Sequence, residues 1–169
     1  MKRIALFAVL TLTLVGCAAR QPVSILLPPP ADTPLTFSDE KELGLRIGVP
    51  VSWLTQPTFT GNRFWKGPPC LKGRGEFLLI TADDFNRPLD ELVVAAARVH
   101  GVKTPTEPLP AQIAGTEGVY VSGEKGAVKR KVLTFAWREE ERTFLLLVSW
   151  VNEDDGAAVA AMIESLKPL

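Results

Sequence analysis

Histidine and cysteine are scarce in this chain: His100 is the only histidine, and the cysteines are Cys17 and Cys70. Zinc sites need clustered Cys and His ligands, which this inventory does not supply within one chain. A Ser–His–Asp arrangement has only His100 to act as base, and no Gly-x-Ser-x-Gly elbow accompanies it. A Cys70–His100 nucleophile pair stays open, because such partners need only meet in space. Neither Asp83-Asp84 nor Glu153-Asp154-Asp155 has the spacing of a calcium loop, and Gly73-Arg74-Gly75 lacks the Lys-Ser/Thr of a phosphate-cradling loop. Charge of one sign is also missing: 19 cations balance 19 anions, which gives no global grip on nucleic acid. These absences lead us to expect a non-enzymatic protein that uses no cofactor, no metal and no nucleic acid.

The one long apolar run stands at the start. Lys2 and Arg3 precede an apolar core from Ile4 to Val15, and small Gly16 follows before Cys17. That is the layout of a secretory signal, and the run is too short for a stable membrane span, which needs about 20 residues. Its ending, Leu14-Val15-Gly16-Cys17, resembles the lipobox of bacterial lipoproteins. The resemblance implies removal of residues 1–16, a lipid (palmitate among its acyl groups) on Cys17, and a membrane as the first partner. The remaining 153 residues would carry 17 cations against 19 anions and suit one domain. In lipoproteins of two-membrane bacteria, an aspartate after the cysteine usually goes with inner-membrane retention. Ala18 stands here instead, which implies the outer membrane, facing the periplasm. Cys70 is then a lone thiol with no disulfide partner in the mature chain, either a small buried apolar residue or an exposed, reactive one.

Residues 17–36 read as the lipidated cysteine and a tether. Pro22, Pro28-Pro29-Pro30 and Pro34 favour a stiff extended backbone, although Ser24-Ile25-Leu26-Leu27 is apolar enough to dock on the domain. Residues 37–169 read as a single globular domain. Alternation from Leu43 to Val49 predicts a strand stopped by Pro50, with Trp53 behind it as a core plug. A second strand is expected over Phe59–Trp65, and a third over Glu76–Thr81, whose unbroken Phe77-Leu78-Leu79-Ile80 predicts cover on both faces. A helix should follow, with Asn86 as cap, Pro88 in its first turn, an inner stripe from Leu89 to His100, and Gly101 as its stop. Its last inward residue, His100, reads as a capping or core histidine. The proline-bearing 102–114 reads as a loop. Strands are expected at 118–122, 127–137 and 143–151, joined by turns at Gly123–Gly126 and Arg138–Glu141. A last helix should start at Asn152, with Val159, Met162, Ile163 and Leu166 inward. Strands, helix, strands, helix argues for an α+β fold, a mostly antiparallel sheet with helices packed on it.

Four stretches in that order resemble the PsbP-like α/β/α sandwich, a fold shared by the PsbP extrinsic subunit of photosystem II, Ran-binding Mog proteins and several bacterial envelope lipoproteins. They are Leu45–Trp53, Pro88–Leu92, Ile113–Gly118 and Met162–Lys167. The resemblance covers residues 37 to the C-terminus. It implies a fold but no catalytic motif, since the fold serves very different roles.

Two surfaces stand out as candidates. The loop from Trp65 to Arg74 holds Trp65, Lys66, Cys70, Lys72 and Arg74, an aromatic, a thiol and three cations suited to a protein partner or anionic headgroups. Lys129-Arg130-Lys131 is a basic run expected in a strand, where charge commonly guards a sheet edge. Together these readings describe a lipid-anchored envelope module that binds or helps assemble another envelope protein. A small-ligand carrier or enzyme, using a cleft between helix and sheet, is the alternative.

Overall fold

The computed structural model describes residues 23–24, 27–58, 61–66, 75–82 and 86–169. In chain order these form strands β1 (Val23–Ser24), β2 (Leu35–Glu40), β3 (Leu45–Pro50), β4 (Trp53–Thr58), β5 (Gly61–Lys66) and β6 (Gly75–Ala82), then helix α1 (Leu89–Val99). Strands β7 (Leu109–Ile113), β8 (Thr116–Lys125), β9 (Arg130–Glu139) and β10 (Arg142–Trp150) follow, then helix α2 (Glu153–Glu164) and strand β11 (Lys167–Pro168). Eight strands make one sheet in the order β1-β7-β8-β9-β10-β6-β5-β4, and β11-β3-β2 make a small second sheet. All pairings in both sheets are antiparallel except that of β1 with β7. The α+β reading holds.

The large sheet is covered on both faces, and the alternation of its central strands shows why. In β6, Phe77 and Leu79 enter the core shared with α2 and the small sheet, while Leu78 and Ile80 pack toward α1. In β9, Leu133, Phe135 and Trp137 take the first face, and Val132 and Ala136 the second. Aromatic stacking tightens the first core: Trp137 lies 4.9 Å from Phe144, nearly parallel at 13°. Trp53 is buried there, as its place after Pro50 predicts. The result is an α/β/α sandwich with β10 and β9 at its centre.

Both helices follow their sequence signals with one exception. The Asn152 side chain accepts from the Asp155 amide at 2.9 Å and caps α2, whose Val159, Met162 and Ile163 are buried. Gly101, at φ 88°, ends α1. The exception is Asn86, which does not cap α1; Pro88 holds that position and makes no side-chain cap.

Other boundaries also differ from expectation. The strand expected over 59–65 is β5 alone, and residues 59–60 lie outside the described residues; the unexpected β4 pairs with β5. The expected loop at 102–114 contains β7. The turn expected at Gly123–Gly126 lies at 126–129, so β8 runs on to Lys125. The proline-rich 27–34 lies against the domain. Leu27 packs on the core, Ala31 donates its amide to Ala157 O at 3.1 Å, and Val51 donates to Pro34 O at 3.3 Å.

Candidate functional site

Of the loop residues that the sequence singles out, Lys66 is described with its side chain and Trp65 by its backbone only. Cys70, Lys72 and Arg74, like Cys17, lie outside the described residues. Trp65 pairs with Leu54 and Glu76 in the sheet. The Lys66 ammonium donates to Asp155 Oδ1 at 2.9 Å. Asp155 is completely buried in the first turn of α2, so Lys66 is the counter-charge for a carboxylate removed from water.

A second charged cluster lies on the opposite face of the sheet, near the C-terminal end of α1. Glu76 has the same facing as Leu78 and Ile80, and its side chain is only 8% exposed. The Arg63 guanidinium donates to its Oε1 at 2.5 Å, Ser149 Oγ lies 3.4 Å from its Oε2, and Lys125 and Arg130 approach Oε2 to 3.7 and 4.0 Å. Three cations thus converge on one carboxylate. Burial pushes the Glu76 carboxyl up, but Lys125 and Arg63 together outweigh it and hold the group below its ordinary value. His100, in the C-cap position of α1, belongs to the same electrostatic neighbourhood. Burial lowers the imidazole, Glu76 raises it, Lys125 and Arg63 lower it again, and the net direction is down. Lys125 is lowered by burial against the opposing pull of Glu76. The sequence carried one signal for this cluster, an acid opening an apolar run that both faces cover. Its partners come from β5, β8, β9 and β10, which no local pattern connects.

The cations of Lys129-Arg130-Lys131 do not guard a sheet edge, because β9 lies between β8 and β10. Lys129 sits in the turn with φ 48°, half-buried Arg130 turns toward Glu76, and Lys131 is exposed. The β8–β9 hairpin runs past its neighbour, since the last residue of β10, Trp150, pairs with Lys131.

Besides an open hollow of about 340 Å³ along α1, lined by Arg87, Glu91, Val94, Arg98 and Pro108, a cleft opens between the two sheets. Leu45, Ile113, Phe135, Trp137, Leu146 and Leu166 line it, with Thr116, Glu139 and Lys167 adding polar groups. Its cavity is about 70 Å³, roughly half the size of one that admits benzene. Among the described residues, no three His, Cys, Asp or Glu side chains gather to hold a metal ion, and no helix is long and apolar enough to cross a membrane.

No family model matches the chain, and no curated protein matches it. Solved structures do. A cyanobacterial PsbP (CyanoP) from Synechocystis sp. PCC 6803 matches with a TM-score of 0.53 at 8% identity, covering 82% of this chain and 95% of that one. LpqN of Mycobacterium tuberculosis, a protein involved in cell envelope biogenesis, matches with a TM-score of 0.48 at 12% identity, covering 83% of this chain and 88% of that one. The likeness to the cyanobacterial protein is one of fold alone: the chain has a PsbP-like fold.

Proposed function

We propose that this chain is a lipid-anchored envelope lipoprotein, held at Cys17 in the outer membrane and facing the periplasm. Its PsbP-like domain binds or helps assemble another envelope protein without catalysing a reaction. The observation that carries the reading is the run from leader to domain. A secretory-type leader ends on Leu14-Val15-Gly16-Cys17, and the chain joins the domain's sheet by Val23. Six residues span at most about 20 Å, so a lipid on Cys17 keeps the domain close to the membrane surface. A module tied so short is placed to meet neighbours in the same membrane. The second reading, a ligand carrier, has less support: the inter-sheet cavity of about 70 Å³ is well below the roughly 300–1,000 Å³ of small-molecule sites, and the hollow of about 340 Å³ along α1 is open and lined mainly by charged side chains rather than apolar ones.

Metabolic labelling with palmitate, followed by membrane fractionation, tests the anchor. The wild type should be labelled and sediment with outer membranes, and Cys17→Ser should lose both properties. Labelled, membrane-bound Cys17→Ser protein would overturn the proposal.

A further inference from the structure

We propose that the β8–β9 hairpin end of the domain rests on the anionic headgroups of the membrane that carries the Cys17 lipid; this rests on the anchor reading above. The hairpin projects beyond the rim of the sheet at the Trp150–Lys131 pair and turns at 126–129. Its turn presents Val128, 67% exposed, next to exposed Lys129 and Lys131. Close to it, where Gly101 approaches the Lys125 side chain, α1 ends on Val99, 85% exposed, flanked by exposed Arg98 and followed by exposed Lys103. Exposed apolar tips ringed by cations suit an interface that is greasy below and negatively charged above. Lys131 and its cross-strand partner Glu124 face the α2 side of the sheet, where Glu153 and Asp154 stand in the first turn of α2, and Arg98 and Lys103 belong to the α1 side.

The opposite end of the sheet has the contrary character. There the β9–β10 turn brings exposed Glu139, Glu140 and Glu141 together, with Glu117 at the start of β8, against Arg138 and Arg142. An anionic surface repels that end and attracts the hairpin.

Chain direction agrees with charge. β1 runs parallel to β7, with Val23 opposite Ala111, which itself pairs with Gly118 of β8. β1 therefore enters the sheet from the side of the end where β8 reaches Glu124 and Lys125. Six residues reach about 20 Å, the same length as β8 from Gly118 to Glu124. Six residues are thus long enough for the anchor to stand level with the hairpin.

The test uses the full-length lipoprotein in nanodiscs of phosphatidylcholine, with and without phosphatidylglycerol, read by hydrogen–deuterium exchange. Amides of 123–131 and 99–104 should exchange more slowly in the anionic discs. The docked-to-free ratio should fall about fivefold for each lysine removed in Lys129→Gln and Lys131→Gln. Both variants lie on exposed positions, and unchanged melting would show that they fold. Equal rates in the two lipids, or protection at 139–142 instead, would overturn the proposal. Protection of the hairpin that needs added membrane proteins and ignores lipid charge would assign the surface to a protein and overturn it too. An intact mass without lipid on Cys17 would refute the anchor reading separately. Flotation of that unlipidated chain with phosphatidylglycerol vesicles at low salt would then decide the surface: flotation supports it, and no flotation overturns it.

Discussion

Neutralising Glu76 should expose how much of this fold depends on one carboxylate. Glu76→Gln keeps the shape and an acceptor oxygen for Arg63, but places an amide NH2 where Ser149, Lys125 and Arg130 met Oε2 and leaves three cations converging without their anion. Removing one partner of a fully buried ion pair costs about 3–5 kcal/mol. Here the Arg63 side chain is 43% exposed, so solvent takes part of the load, and we expect about 2–3 kcal/mol. For a domain of this size that is a drop in Tm of about 6–9 °C. The pH dependence makes the prediction specific. The folded Glu76 carboxyl is held below its ordinary value, so it adds stability above pH 4.5 that disappears as pH falls through the folded value. The His100 imidazole is also lowered, so it adds stability above pH 6.5 that disappears as pH falls through its own folded value. In Glu76→Gln the acid-side loss due to Glu76 should vanish. The loss below pH 6.5 should widen, because the charge that pulls His100 upward is gone. Urea unfolding followed by tryptophan fluorescence across pH measures the stability. Since His100 is the only histidine, one imidazole proton resonance reports its titration without assignment. A cost below about 0.5 kcal/mol, together with an unmoved His100 titration, would refute the reasoning.

Three further substitutions test other joints of the structure. Lys66→Ala should cost about 3 kcal/mol or more by stranding the fully buried Asp155, and Lys66→Arg should recover part of it; chemical denaturation of both decides. Ser165→Ala should cost about 1–3 kcal/mol, because the Gly48 amide loses the hydroxyl it donates to at 2.7 Å, and a local rise in amide exchange at Gly48 should accompany it. His100→Ala should cost about 1 kcal/mol and leave the cellular phenotype of the wild type intact; full loss of function with an unchanged fold would point to catalysis at His100.

Elements that bury two faces announced themselves in the sequence, and those at the margins did not. β6 and β10 are unbroken apolar runs because both faces are covered, and α2 shows its cap and its stripe. β7 was hidden because Pro108 and Pro110 read as breakers, yet it lies near the sheet's end beside the two-residue β1. β4 was hidden because it is the edge strand at the other end. Beyond Trp53 its residues are exposed, and Pro57 is tolerated there. Two glycines compete in the sequence for the hairpin turn. Gly126, at φ 71°, makes the turn, while Gly123 lies inside β8 where the Val102 side chain leaves no room for a Cβ. The Glu76 cluster drew on five separate segments, so only its one acid in an apolar run was visible beforehand.

Native mass spectrometry of the full-length protein, extracted from its own membranes in mild detergent, tests the central claim most directly. The account predicts a chain that begins at Cys17, carries a lipid mass and brings a reproducible second protein with it. A chain that retains residues 1–16 on an unmodified Cys17 would contradict the account.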